Sequence, residues 1–126
     1  MIIVDTSVWI EYFKGNEHYR DVLPKYLKEK HVVAISAVFG ELLQGVKNKR
    51  EHEIIIGFWE SLPKINEEEL FIEAGKLFHE FKFYNSGVGL IDTYLLAAAL
   101  KHDYALWSLD KKLNKAIDII ENKQIS

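Results

Sequence analysis

Apolar positions along the chain alternate between short continuous runs and runs with helical spacing. Ile2-Ile3-Val4 and Val32-Val33-Ala34-Ile35 are continuous apolar runs, the pattern of buried parallel strands. Lys64-Ile65 is a weak third strand, and Tyr104-Ala105-Leu106-Trp107 a fourth. Between these runs the spacing becomes helical. Ser7 to Phe13 predicts a short helix closed by Gly15, and His18 to Lys30 a second helix that Pro24 should kink, or whose second half it should open as a first-turn residue. Ser36 is expected to cap a helix that carries Glu41 and ends near Gly45, and Glu51 to Ser61 predicts another, stopped before Pro63. The clearest helix runs from Glu67 to Phe83. Leu70, Phe71, Ala74, Leu77, Phe78 and Phe81 share one face, with Glu67, Glu68 and Glu69 suited to the N-terminus. Asn85 to Gly89 predicts a loop leading to a helix that starts near Asp92; a short helix around Leu113 follows the fourth strand, and Ile117 to Ile120 reads as an edge strand. Strands alternating with helices predict an α/β chain: a three-layer α/β/α domain with a parallel sheet of about 4–5 short strands. Residues 1–126 are expected to form a single domain.

Four acids fall at the ends of these elements. Asp5 follows the first apolar run and Asp110 follows the run ending at Trp107, while Glu41 and Asp92 lie near the starts of apolar helices. In open parallel sheets, ligands gather outside the carboxyl ends of the strands, where the next helices begin. Taken singly, Asp5 and Asp110 read equally well as helix caps. Glu41 has apolar neighbours Val38, Leu42 and Val46, and Asp92 lies within an almost wholly apolar stretch from Gly89 to Ala99, where an unpartnered carboxylate is costly. Two charges about 4 Å apart repel by roughly 4 kcal/mol at an effective dielectric near 20. Four acids in one cleft therefore call for protonation or a divalent cation, and hard oxygen donors suit Mg²⁺ or Mn²⁺.

Composition narrows the classes. Hydrophobic residues make up 48% and charged residues 28%, as in folded rather than disordered chains. No apolar run reaches the roughly 20 residues of a membrane span, and no basic segment precedes the first strand, so neither a membrane nor a secretory signal is expected. Cysteine is absent, which removes disulfides and thiolate chemistry and fits a cytoplasmic protein. The net charge of −3 gives no general attraction to nucleic acid. Local attraction would fall to Lys47, Lys49 and Arg50, or to Lys111, Lys112 and Lys115, although such runs are commonly solvated helix ends. The histidines at 18, 31, 52, 79 and 102 show no HExxH or i, i+4 pairing, so zinc chemistry is not expected, and no GxxxxGK[ST] or GxGxxG loop is present. Trp9, Tyr12 and Phe13 on the first helix offer an apolar face for a partner.

Val4-Asp5-Thr6-Ser7-Val8, the segment Ser36 to Gly45 around Glu41, Asp92 to Ala99, and Leu106-Trp107-Ser108-Leu109-Asp110 follow one another in order. These four segments resemble the motifs of PIN-domain ribonucleases, specifically the small toxin of bacterial or archaeal VapBC toxin–antitoxin pairs. The resemblance spans nearly the whole chain. It departs at Ser108, where threonine is common, and at Lys112, where some members carry a further acid, which puts a second tightly held metal in doubt. The resemblance implies metal-dependent hydrolysis of single-stranded or looped RNA, an antitoxin partner that lays a peptide across the acidic cleft, and a homodimer. On this reading Asp5 and Asp92 are the firmest Mg²⁺ or Mn²⁺ ligands. Glu41 and Asp110 bind directly or through water, and one of them orients the attacking water. Thr6 and Ser108 orient the carboxylates.

Two other readings stay open. A phosphatase of the haloacid dehalogenase type would need Asp-x-Asp after the first strand, and residue 7 is Ser. A non-catalytic RNA- or protein-binding module on the same fold would be expected to have lost one or more of the acids, and all four are present.

Overall fold

A computed structural model describes the backbone of residues 1–125 and the side chains through Glu121. In chain order the elements are β1 (Ile2–Val4), α1 (Thr6–Phe13), α2 (Glu17–Lys28), β2 (Val32–Val33), α3 (Ser36–Gln44), α4 (Lys49–Ser61), α5 (Leu70–Glu80), a 3₁₀ turn (Phe83–Asn85), α6 (Leu90–His102), β3 (Ala105–Trp107) and α7 (Lys111–Ile125). The sheet is parallel with order β2-β1-β3; Ile2 pairs with Val32 and Ala105, and Val4 pairs with Trp107. Parallel strands need crossover connections, and the helices supply them. The result is the three-layer α/β/α architecture, built on fewer strands than the apolar runs suggested.

Two predicted strands are absent for identifiable reasons. Lys64 makes only a single parallel bridge with Ala34, whose N–H donates to Pro63 O at 2.8 Å while Ile65 N–H returns a bond to Ala34 O at 3.1 Å. Ile117 to Ile120 lies within α7. Leu113, Ala116 and Ile120 are buried there while Ile119 is 37% exposed, a spacing of three and four rather than two. The helix after Asp110 is accordingly long rather than short.

Helix boundaries move where a cap or a distant partner decides them. α1 starts at Thr6 because Asp5 caps it, and Gly15 follows its end with φ of 80°, a value that favours glycine. Pro24 lies inside α2 without ending it. Ser36 is the first residue of α3 rather than its cap. The helix expected from Glu67 begins only at Leu70, since Glu69 takes a left-handed conformation with φ of 56°. Phe71, expected on the buried face of α5, is 55% exposed and leans on Tyr94, ring centroids 5.7 Å apart.

The core joins both faces of the sheet. Ile3, Val4, Val32 and Val33 contribute from the strands, and Val8, Leu23, Val38, Leu95, Ala98 and Leu113 from the helices. Trp9 is only 1% exposed. Its indole contacts Tyr12, Phe13, Phe39 and Phe58, with centroids 5.2 to 6.2 Å away. The apolar face expected on α1 is thus mostly internal, with Phe13 at its outer margin. Trp9→Ala should cost about 3–5 kcal/mol of stability, read as a fall in ΔG of unfolding by urea titration.

Candidate active site

Adjacent parallel strands bring the first pair of predicted residues together. Val4 and Trp107 are in register, so Asp5 and Ser108 leave the same edge of the sheet side by side. Asp5 N–H donates to Trp107 O at 2.9 Å. The Asp5 side chain is 6% exposed and, as a buried anion, must be hydrogen-bonded. Its Oδ1 accepts from Thr6 N–H at 2.8 Å, and its Oδ2 accepts from Ser108 Oγ at 2.6 Å and from Ser7 Oγ at 3.0 Å. Both serines are themselves oriented: Ser7 Oγ accepts from Leu109 N–H, and Ser108 Oγ accepts from Asp110 N–H, each at 3.0 Å. Asp110 caps α7, its Oδ1 accepting from Lys112 N–H at 2.8 Å and Leu113 N–H at 3.2 Å.

Helices α3 and α6 bring the other two acids. Glu41 is exposed on α3, contrary to the burial its apolar neighbours suggested: Val38 and Leu42 turn inward and leave position 41 facing the cleft. Its Oε1 accepts from Thr6 Oγ1 at 3.2 Å. Asp92 is half-buried in the first turn of α6, where its carboxylate accepts a bond from the Gly89 backbone, the return half of a capping box. The Asp92 carboxyl is held above its ordinary value, first by burial, then by the charges of Asp110, Asp5 and, least, Glu41; the Gly89 bond opposes the shift. Four segments of chain therefore share one negative field.

Excess negative charge and hard oxygen donors fit a divalent cation. Among the described residues no three acids or histidines stand close enough to make a ready-made cage. Asp5 and Asp92, with Glu41 and Asp110 beside them, are the groups that would hold such an ion.

The basic candidates lie on the surface around these acids. Lys47, Lys49, Arg50, Lys111 and Lys112 are all exposed. Lys49 pairs with Glu53 at 3.9 Å. The Lys112 amine lies 3.3 Å from where a side chain on Gly87 would begin, close to the loop that leads to Asp92. Two residues outside the predicted set belong to the site's framework. Ser7 bridges Asp5 and the backbone of Leu109, and Asn114 Nδ2 donates to Ser108 O at 2.9 Å. A hydroxyl two residues after a helix-capping acid was the signal for Ser7; Asn114 had none, because its partner lies across a turn.

The PIN domain family pattern matches residues 2–118. The chain belongs to the PIN domain family. This PIN domain is similar to Ribonuclease VapC1 of Methanocaldococcus jannaschii, 28% identical over 88% of this chain and 76% of the relative. It is also similar to Ribonuclease VapC32 of Mycobacterium tuberculosis, 28% identical over 92% of this chain and 90% of the relative. The resemblance to VapC toxins read from four short segments agrees with both.

A carboxyl raised in the folded PIN domain and relaxed on unfolding binds its proton more tightly when folded. Its ionisation then lowers stability, an effect absent below the ordinary carboxylate range and complete once pH exceeds the raised value. Asp92→Asn should therefore melt above wild type at neutral pH, and the gap should close as pH falls through the carboxylate range. Melting curves across that range, with and without Mg²⁺, measure it. A gap that stayed constant with pH would contradict the shared field.

Proposed function

We propose that this PIN domain is a Mg²⁺- or Mn²⁺-dependent endoribonuclease, a toxin of the VapC type that cuts single-stranded or looped RNA. The observation that carries the reading is the meeting of Asp5, Glu41, Asp92 and Asp110, from four separate elements, at the carboxyl edge of the sheet. Asp5 and Asp92 would hold the ion, with Glu41 and Asp110 beside it, directly or through water. Ser7, Ser108 and the Thr6 N–H keep the Asp5 oxygens turned towards the cleft. When bound, the cation polarises the scissile phosphate and lowers the pKa of the attacking water. Glu41 or Asp110 orients that water and accepts its proton; Glu41 is the more exposed and is held by a single hydroxyl. Lys111 and Lys112 next to Asp110, and Lys47, Lys49 and Arg50 beyond α3, would attract the RNA backbone.

Partners follow from the same surface. A groove of roughly 420 Å³ lies beside Glu41, lined by Ile10, Phe13, Leu42, Val46 and Ile54, with Lys14 and Lys47 also on its wall. An antitoxin peptide with apolar side chains would seat in it and place a basic group on the acids. The resemblance to VapC toxins extends the reading to a homodimer in the cytoplasm. Among the described residues no helix is long and apolar enough to cross a membrane. The alternative is a non-catalytic binding module on this fold, favoured by the lack of a closed metal cage among the described residues.

Purified protein incubated with mixed RNA should cleave it with Mg²⁺ or Mn²⁺ and not with EDTA. Asp5→Asn and Asp92→Asn should each lower the rate by at least about a hundredfold while remaining folded by circular dichroism. Ser108→Ala should weaken metal binding by roughly 10–100-fold, the usual effect of removing a partner that orients a ligand. Full activity in both aspartate variants would sink the nuclease reading, and cleavage by wild type eliminates the binding module.

A further inference from the structure

Helix α3 begins without a side-chain cap of its own, since Ile35 occupies the capping position. The first N–H groups of a helix need partners, and here they come from far along the chain. Glu67 Oε2 accepts from Ser36 N–H at 3.0 Å, and Glu67 Oε1 accepts from Ser36 Oγ at 2.5 Å. The same Oε1 accepts from Tyr94 OH, also at 2.5 Å. Tyr94 is 7% exposed, and a buried phenol requires such a partner.

The carboxylate is itself held in place. Asn66 O lies 3.1 Å from His102 Nε2, Glu68 O accepts from Lys101 Nζ at 3.2 Å, and Glu68 N–H donates to Asn66 Oδ1 at 3.0 Å. The segment carrying Glu67 is thereby fastened along α6. Direct packing of α3 on α6 is slight beside that of α5 on α6, so this one carboxylate is a main tie between α3 and α6. At about 1.5 Å of rise per residue, Glu41 lies roughly 7.5 Å beyond Ser36 and Asp92 roughly 3 Å before Tyr94. Any loosening at Glu67 therefore reaches both acids through short, stiff lengths of helix.

We propose that Glu67 is a positioning residue that sets the spacing of Glu41 and Asp92 across the cleft by holding α3 through Ser36 and α6 through Tyr94. The proposal rests on the reading of the four-acid site as a cation-binding nuclease centre. Glu67 touches neither acid, and its effect travels through the two helices.

The test compares Glu67→Ala, Glu67→Gln, Tyr94→Phe and the Glu67→Ala/Tyr94→Phe pair with wild type, and uses Glu68→Gln as a neighbouring control. Mn²⁺ affinity is measured by calorimetry, RNA cleavage as kcat and KM, and stability by melting. Glu67→Ala should weaken Mn²⁺ binding about tenfold and lower kcat with little change in KM. Glu67→Gln, which keeps an acceptor for Tyr94, should recover most of the loss. Tyr94→Phe should add little in the Glu67→Ala background, because both changes cut the same tie. Glu68→Gln should match wild type. A melting point that falls while Mn²⁺ affinity and kcat stay within twofold of wild type would overturn the proposal and leave Glu67 a structural cap. If wild type itself neither binds Mn²⁺ nor cuts RNA, the nuclease reading fails separately. Positioning is then judged from the ¹³C carboxyl resonances of Glu41 and Asp92: movement in Glu67→Ala supports it, and unchanged positions overturn it.

Discussion

Keeping a charged carboxylate at Asp5 almost out of water is the constraint around which this end of the molecule is arranged. A buried anion survives only with donors on its oxygens, and here they come from both sides of a parallel strand pair: Thr6 and Ser7 after β1, Ser108 after β3. Supplying them requires the Val4–Trp107 register. A slip of one residue would turn Ser108 to the other face. The same register carries Asp110 to its place as the cap of α7, so one hydrogen-bonding requirement orders a strand pair, two helix starts and two acids.

Against that well-satisfied acid stands Asp92, whose burial and neighbours disfavour its charge. The contrast is physically informative. A chain optimised only for stability would separate these groups or offer them cationic partners, yet the salt bridges of Lys14, Lys49 and Lys76 go to Glu11, Glu53 and Glu73 and to none of the four acids. Sites that carry local conflict of this kind are where function is expected to reside. The chain belongs to the PIN domain family, and the relatives it resembles are named as VapC ribonucleases.

Much of the fold was legible in the sequence because its signals are local. Apolar runs mark β1, β2 and β3, and helical patterns mark the first six helices and only the start of α7, with Asp5 and Asp110 readable at once as caps. The errors have separate local causes. Ile117 to Ile120 reads as a strand because four residues are too short to separate a buried helix face from an apolar run. Phe71 reads as part of the face of Leu70 and Ala74, but it lies about 100° round the helix from Leu70, at the margin of that face, and is exposed. Glu41 was assigned to the interior on the strength of its neighbours, although a helix places adjacent residues about 100° apart.

By itself, then, the sequence determined which segments become strands or helices and which four acids stand at their ends. These are properties of neighbouring residues, set by apolar period and by caps within a few positions, and they failed at Lys64-Ile65 and Ile117 to Ile120 and left Glu41 inside α3 rather than at its end. Only the tertiary structure decided that Asp5 rests on Ser7 and Ser108, that Thr6 reaches Glu41, and that Glu67 caps α3 while holding Tyr94. Those bonds join residues 31 to 103 positions apart in most cases. No periodicity encodes such partners, because which distant donor meets which carboxylate depends on the register of the parallel sheet and the packing of helices against it.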